Sequence, residues 1–297
     1  MEIREIKTFL YVAKLKSFSR AAEQLGYTQA AVTIQVKHLE KELDVHLFDR
    51  IGKQITLTHQ GAIFYEYASQ IMNDITHAKE AVSDSRELTG RLCIGTIESV
   101  CASIFPALLR EYHHLFPKVT INIITDSPEA LLNMVNKNVI DIVYFLDRPM
   151  HSNKWVKVLE EPEDVIFVAS PENPLAGKRN LTLDEVISQP FIATEKDASY
   201  RFLLEQHLAS LGKKLHPFLE TGSTDFIVKQ LLRNLGVSFL PAFIVQRGLE
   251  LGRLVQLDVT DYRLQVWRQI LYHKDKWMTR ETASFIELAQ RFPISVE

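Results

Sequence analysis

Ser17-Phe18-Ser19-Arg20-Ala21-Ala22-Glu23-Gln24-Leu25, Gly26-Tyr27 and Thr28-Gln29-Ala30-Ala31-Val32-Thr33 follow one another without a gap. The run from Ser19 to Leu25 is short and amphipathic, and Gly26-Tyr27 closes it. Thr28 is placed to cap the next helix by accepting a hydrogen bond from an orphan backbone N–H. Downstream, Val32, Val36, Leu39 and Leu43 recur at helical spacing, and upstream Ile3, Ile6, Leu10 and Ala13 do the same. Two helices joined by a tight turn, the second one capped, form a candidate helix-turn-helix from Ser19 to Leu43. With the Val32 stripe inward, Gln29, Ala30, Thr33, Ile34 and Lys37 fall on the outward side near the helix start, where a recognition helix meets base edges. Gln29 can pair bidentately with adenine, Thr33 can donate or accept, and Ala30 and Ile34 can meet a thymine methyl. Ser19 and Thr28 are counted with this DNA-facing set. The plainer alternative is an ordinary small helical subdomain.

Phe48 to Thr58 alternates β-branched residues around Gly52-Lys53 and reads as a two-stranded hairpin. Arg50 and Lys53 from this wing, with Arg20 and Lys37, are the candidate phosphate contacts. From Thr58 to Leu88 there is no proline, and Phe64, Ala68, Ile71, Ile75, Ala78 and Val82 step by four and three. That is a heptad seam. A helix of about 28 residues, roughly 40 Å long, needs a partner against such a stripe. The expectation is self-dimerisation through those six residues, the alternative being packing on the helix's own domain.

From Arg91 onward short apolar runs alternate with amphipathic segments, the texture of α/β structure with parallel strands. Strands are expected at Leu92–Gly95, Val119–Ile124 and Ile140–Leu146, then at Val165–Ala169, Phe191–Thr194, Phe218–Glu220 and Val237–Leu240, and last at Gln265–Tyr272. Helices are expected at Ile104–Phe116, Pro128–Lys137, Leu183–Ser188, Arg201–Leu211, Thr224–Asn234 and Arg280–Phe292. Two α/β lobes with a cleft between them fit this order. The division expected is residues 1–58 for the helix-turn-helix and its wing, 59–89 for the linker and dimerisation helix, and 90–297 for the two-lobed α/β part. Lobe I of the last part takes about 90–163 and 265–297, and lobe II about 164–264.

The 297 residues are 46% hydrophobic and 24% charged, which excludes disordered, collagenous and rod-like classes. Lys and Arg number 34 against 37 Asp and Glu, so the net charge of −3 gives no global basic field. Residues 1–58 alone are slightly basic, nine Lys/Arg against seven Asp/Glu. Two cysteines, Cys93 and Cys101, form no disulfide framework and suit a reducing compartment. The start has no basic segment followed by an apolar run, and no stretch approaches the roughly 20 apolar residues of a membrane helix. A cytoplasmic protein without a membrane partner is expected.

Phe9-Leu10-Tyr11-Val12-Ala13, the Ser17–Thr33 segment, Leu39-Glu40-Lys41-Glu42-Leu43, Leu47-Phe48-Asp49-Arg50 and Leu57-Thr58-His59-Gln60-Gly61 together resemble the start of LysR-type transcriptional regulators. The match runs in order over about the first 65 residues. Pro171-Glu172-Asn173-Pro174-Leu175-Ala176 and Gly236-Val237-Ser238-Phe239-Leu240-Pro241 resemble the family's segments between the lobes and near the end of the second lobe. Asp44 stands where the family usually has glycine, and Thr33 where serine is commoner. The resemblance implies a winged helix-turn-helix, a dimerising linker helix and a two-lobed effector domain similar to type 2 periplasmic binding proteins. It further implies a homodimer or homotetramer on a double-stranded operator, acting with RNA polymerase, and no cofactor.

In two-lobed domains ligands settle at the carboxyl ends of strands beside helix N-termini. Thr96, Glu98 and Ser99 follow the first strand, Thr194 ends a strand of the second lobe, and Ser223 and Thr224 open another helix. Hydroxyls and free N–H groups at helix starts favour a small anion, so a small organic acid or an amino acid is the expected effector. Glu98 cuts against a plain anion. Helix capping is the bland alternative for Ser99, Ser223 and Thr224. Cys93 and Cys101 raise a redox-sensor alternative, kept open by the position of Cys101 near a helix start. An architectural DNA-binding protein without effector is another. His113-His114 make no metal-ligand spacing, and neither a Gly-rich phosphate loop nor a Gly-x-Ser-x-Gly elbow occurs, so neither an enzyme nor a metal site is expected.

Overall fold

A computed structural model describes residues 1–51, 54–81 and 88–292. Two compact units divide the chain, 1–84 and 85–297. Each is taken by itself.

The first unit begins with three helices: α1 (Ile3–Leu15), α2 (Phe18–Leu25) and α3 (Gln29–Leu43). Each boundary has a local cause. The Ser17 hydroxyl accepts from Arg20 N–H at 3.3 Å to start α2, and Gly26 ends it in the left-handed region with φ 70°. Thr28 caps α3 by accepting from Ala31 N–H at 3.2 Å. Asp44, in the place usually held by glycine, closes α3 with φ 52°, a conformation Asp tolerates better than most side chains. The hairpin of β1 (Phe48–Ile51) and β2 (Gln54–Leu57) follows, with Phe48 opposite Leu57 and Asp49 opposite Thr56. Glu40 Oε1 accepts from Leu47 N–H at 2.8 Å and Phe48 N–H at 3.3 Å, tying the hairpin to α3. The core is Phe9, Val12, Phe18, Val32, Val36, Leu39, Leu47 and Phe48, with rings Phe9 and Phe48 5.2 Å apart.

Helix α4 (His59–Ala81) starts where Thr58 accepts from Gly61 N–H at 2.9 Å. Gly61 lies hard against the hairpin entry, since a Cβ there would stand 2.0 Å from the Leu47 carbonyl oxygen. The heptad stripe is used differently from the expectation. Phe64 stacks edge-on against Phe9 at 5.1 Å, Ala68 is fully buried, and Phe64 and Ile71 pack on the core of their own unit. The first half of the expected dimer seam is therefore covered by α1 in the same chain. Ile75 is half-buried, Ala78 is exposed, and Val82 lies outside the described residues. Among the described residues, the large apolar side chains α4 leaves open are Ile63, 48% exposed, and Tyr67, 62% exposed.

The second unit is built on one mixed sheet. Strands β3 (Gly90–Thr96), β4 (Val119–Thr125) and β5 (Ile142–Asp147) are mutually parallel in the order β4-β3-β5, with α5 (Glu98–Ser103), α6 (Phe105–Leu115) and α7 (Pro128–Asn136) as connections. A second half holds α8 (Leu183–Ile187), β7 (Phe191–Ala193), α9 (Ser199–Ser210), β8 (Leu219–Glu220), α10 (Thr224–Leu231) and β9 (Val237–Pro241), with β8 and β9 flanking β7 in parallel. The two halves are joined by long antiparallel strands, β6 (Trp155–Ala169) and β11 (Leu264–His273). α11 (Ala242–Glu250), β10 (Val255–Gln256) and α12 (Arg280–Arg291) complete the unit.

Sequence pattern located only the last third of β6, because Glu160-Glu161-Pro162-Glu163-Asp164 reads as a loop. In the fold, Arg268 of β11 neutralises that run, pairing with Glu161 and, at 3.3 Å, with Glu163. α11 and β10 also had no expectation. Among the described residues no helix is long and apolar enough to cross a membrane.

Candidate functional site

On the first unit, Ser19, Arg20, Thr28, Gln29, Ala30 and Lys37 are exposed, Thr33 is half-buried, and Ile34 is 56% exposed. An open isoleucine beside polar side chains on a capped helix suits contact with a base-pair edge better than contact with water. The Ser19 hydroxyl donates to Gln29 Oε1 at 2.9 Å, so α2 holds the Gln29 amide by its oxygen. Thr33 is a partial correction. Its hydroxyl donates to the Gln29 carbonyl at 2.9 Å, so it presents lone pairs and a methyl outward rather than a free proton. Lys53 lies outside the described residues, and only the backbone of Arg50 is described.

On the second unit a cavity of about 230 Å³ opens where strand ends of both half-sheets meet. Of the six candidate effector residues, Glu98, Ser99 and Thr224 line it. Thr96, Thr194 and Ser223 do not. Thr96 is buried, with its hydroxyl donated to the Tyr144 carbonyl at 2.7 Å. Thr194 is buried too, and its carbonyl accepts from the Arg201 guanidinium. Ser223 is the cap of α10, accepting from Phe226 N–H at 3.3 Å, so the bland reading holds for it.

The N-terminus of α10 is already occupied. Glu98, from α5 of the other half, accepts from Thr224 N–H at 3.0 and 3.1 Å and from the Thr224 hydroxyl at 2.7 Å. A carboxylate at a helix start is the arrangement the helix dipole favours, and here the chain supplies it. The expected anion-binding end therefore serves as a bridge between the two halves.

Asp126, Ser127, Glu195, Asp197, Ser199 and Tyr200 also line the cavity, and sequence reasoning missed them. The signal was available: Asp126-Ser127 follow β4 and Glu195 to Tyr200 follow β7, both parallel strands leading into helices. Burial pushes the Glu195 carboxyl above its ordinary range, with like charges on Asp197 and Glu98 adding to the rise. The Tyr200 hydroxyl is also pushed up by burial.

Cys93 and Cys101 are both free thiols. Cys93 packs against the cluster around Leu131 and Phe145, and Cys101 against the separate cluster around Leu92 and Phe105. Burial raises both thiols, so the position of Cys101 near a helix start does not favour thiolate.

Comparison with known proteins agrees with this layout. The chain matches the family described as "LysR substrate binding domain" over residues 85–293 and that described as "Bacterial regulatory helix-turn-helix protein, lysR family" over residues 3–62. The uncharacterized HTH-type transcriptional regulator YwqM of Bacillus subtilis is 32% identical over 98% of this chain and 99% of its own. GltR, an HTH-type transcriptional regulator of the same organism, is 29% identical over 96% of this chain and 95% of its own. Among solved structures, a full-length OxyR variant from Pseudomonas aeruginosa aligns with TM-score 0.72 at 18% identity, over 99% of this chain and 96% of its own. Full-length CbnR in complex with its target DNA aligns with TM-score 0.66 at 20% identity, over 98% and 99%. At these identities the two structures show a shared fold. With α3 capped and exposed in the first unit, a cavity among strand ends in the second, and both parts matched by lysR families, the chain belongs to the LysR-type family of DNA-binding transcriptional regulators.

Proposed function

We propose that this regulator holds a pseudo-palindromic operator as a homodimer or homotetramer, controlled by a small molecule in the 230 Å³ cavity of its second unit. Gln29, Ala30, Thr33 and Ile34 enter the major groove, while Ser19 sets the Gln29 amide. Arg20, Lys37, Arg50 and Lys53 meet phosphates. The observation that carries this is the α3 surface, a capped helix presenting Gln29 and an exposed Ile34 on the side away from its core. The division into residues 1–58, 59–89 and 90–297 follows from these roles. Self-association uses the open face of α4 around Ile63 and Tyr67 together with its later turns. A cytoplasmic setting, with RNA polymerase as a further partner, suits a protein whose target is an operator.

Of the two effector classes the sequence suggests, organic acid and amino acid, the carboxylate-rich lining favours one that brings an amine. A ligand differing in affinity for two arrangements of the lobes shifts the balance between them, and that shift is the regulatory signal. Selection of bound duplexes from a random pool by the full chain tests the DNA reading. An inverted repeat with two half-sites about one helical turn apart, or a multiple, is expected. Recovery of DNA with no shared repeat would overturn it.

A further inference from the structure

The effector cavity has an unusual charge inventory. Glu98, Asp126, Glu195 and Asp197 all contribute to its wall, and among the described lining residues there is no Lys, Arg or His. Glu98 is committed to Thr224. Glu195 is not committed in the same way. Its Oε2 is buried and accepts no hydrogen bond, lodged where a Cβ on Gly222 would stand 3.4 Å away. The guanidinium closest in sequence, Arg201, is occupied by Glu205 at 3.0 Å, Glu220 at 2.9 Å and the Thr194 carbonyl. Arg148 and Lys196 line an adjoining depression of about 260 Å³, which shares Ser127, Pro128, Asp197 and Ser199 with the cavity.

A buried carboxylate oxygen without a partner, among like charges, is a costly arrangement that a bound cation relieves. A metal ion does not fit the donors, since no three His, Cys, Asp or Glu side chains among the described residues are grouped to hold one. The cavity is also much larger than an ion and smaller than the roughly 300 to 1,000 Å³ typical of drug-sized ligands. Ile97, Pro128, Leu146 and Ala198 offer apolar wall for an alkyl stem.

Resting on the effector reading above, we infer that the cavity takes a small organic amine, whose ammonium group docks on Glu195 with Asp197 and Asp126 beside it. The anion preference common to helix-start sites is cancelled here by the chain's own Glu98.

The test is thermal unfolding of the full chain at equal ionic strength with 1,4-diaminobutane, butylamine or glutarate. At about a hundredfold excess over Kd, an amine is expected to raise Tm by about 5 to 10 °C. Glutarate is expected to leave Tm unchanged. Glu195→Gln is expected to abolish the amine shift, and Asp197→Asn, at an exposed position, to reduce it, which keeps the test decisive should the first variant fail to fold. Absence of any amine shift, or an amine shift that survives in both variants, overturns the inference. A shift with glutarate alone overturns the amine while leaving the effector cavity standing.

Discussion

Glu98 joins the two halves of the second unit through three hydrogen bonds to one residue, Thr224, at a helix start. Hydrogen bonds to a charged group contribute about 1.5 to 3 kcal/mol, so Glu98→Ala is expected to destabilise the chain by that amount in urea unfolding. An unchanged midpoint would show that the bridge is not formed in solution. Glu195 acts in the opposite sense. Its carboxyl is held above the ordinary range, so the folded chain binds that proton more tightly than the unfolded chain does. The resulting stability is fully present below the ordinary glutamate pKa, about 4.3, and is lost as pH rises through the raised value. Glu195→Gln is therefore expected to gain Tm relative to the parent chain between pH 4 and pH 7. A difference that stays flat with pH would contradict this assignment. At this scale the sequence was legible for caps at Thr28 and Asp44, which do what their residue types and positions suggest. It was not legible for Thr96 and Thr194, because a hydroxyl at a strand end turns inward or outward according to neighbours far along the chain, such as Tyr144 for Thr96.

Among the elements, α4 shows what periodicity can and cannot say. The seam from Phe64 to Ile75 marks an apolar stripe correctly, but spacing carries no information about which helix covers it. The ring of Phe9, 5.1 Å from Phe64, identifies α1 as the cover for the first two turns. Phe64→Ala is expected to cost about 2 kcal/mol of stability, less than the 3 to 5 of a fully buried phenylalanine because Phe64 is half-buried. Tyr67→Ala should leave stability within about 0.5 kcal/mol and weaken self-association instead. Unfolding and sedimentation measured side by side distinguish the two, and a reversed ranking would return the dimer seam to Phe64. β6 and α11 were illegible for different reasons. The charged centre of β6 is intelligible only beside Arg268 on β11. In α11 the apolar residues continue the run of β9 without a break, and Gly248, which reads as a helix stop, sits close against Leu254, where a Cβ would stand 2.7 Å from Cδ1.

For the whole molecule, a net charge of −3 on a DNA-binding protein is accounted for by where the charges lie. The first 58 residues are slightly basic, and the acidic excess belongs to the remainder, part of it in the cavity wall. On the proposed reading, paired half-sites would double each phosphate contact, which lets a near-neutral domain bind. The family-level layout was legible because it rests on dense local pattern from Phe9 to Gly61. The charge of the cavity was not, since Asp126, Glu195 and Asp197 come from two lobes and meet only in the fold. The most direct measurement is the affinity of the Gln29→Ala and Lys37→Ala chains for the selected duplex and each of its single base-pair variants. Gln29→Ala is expected to lose about 1 to 3 kcal/mol and its preference at one base pair per half-site. Lys37→Ala should weaken every duplex about equally and lower the salt slope by about 1 per half-site. Uniform losses for both substitutions would contradict the placement of α3 in the major groove.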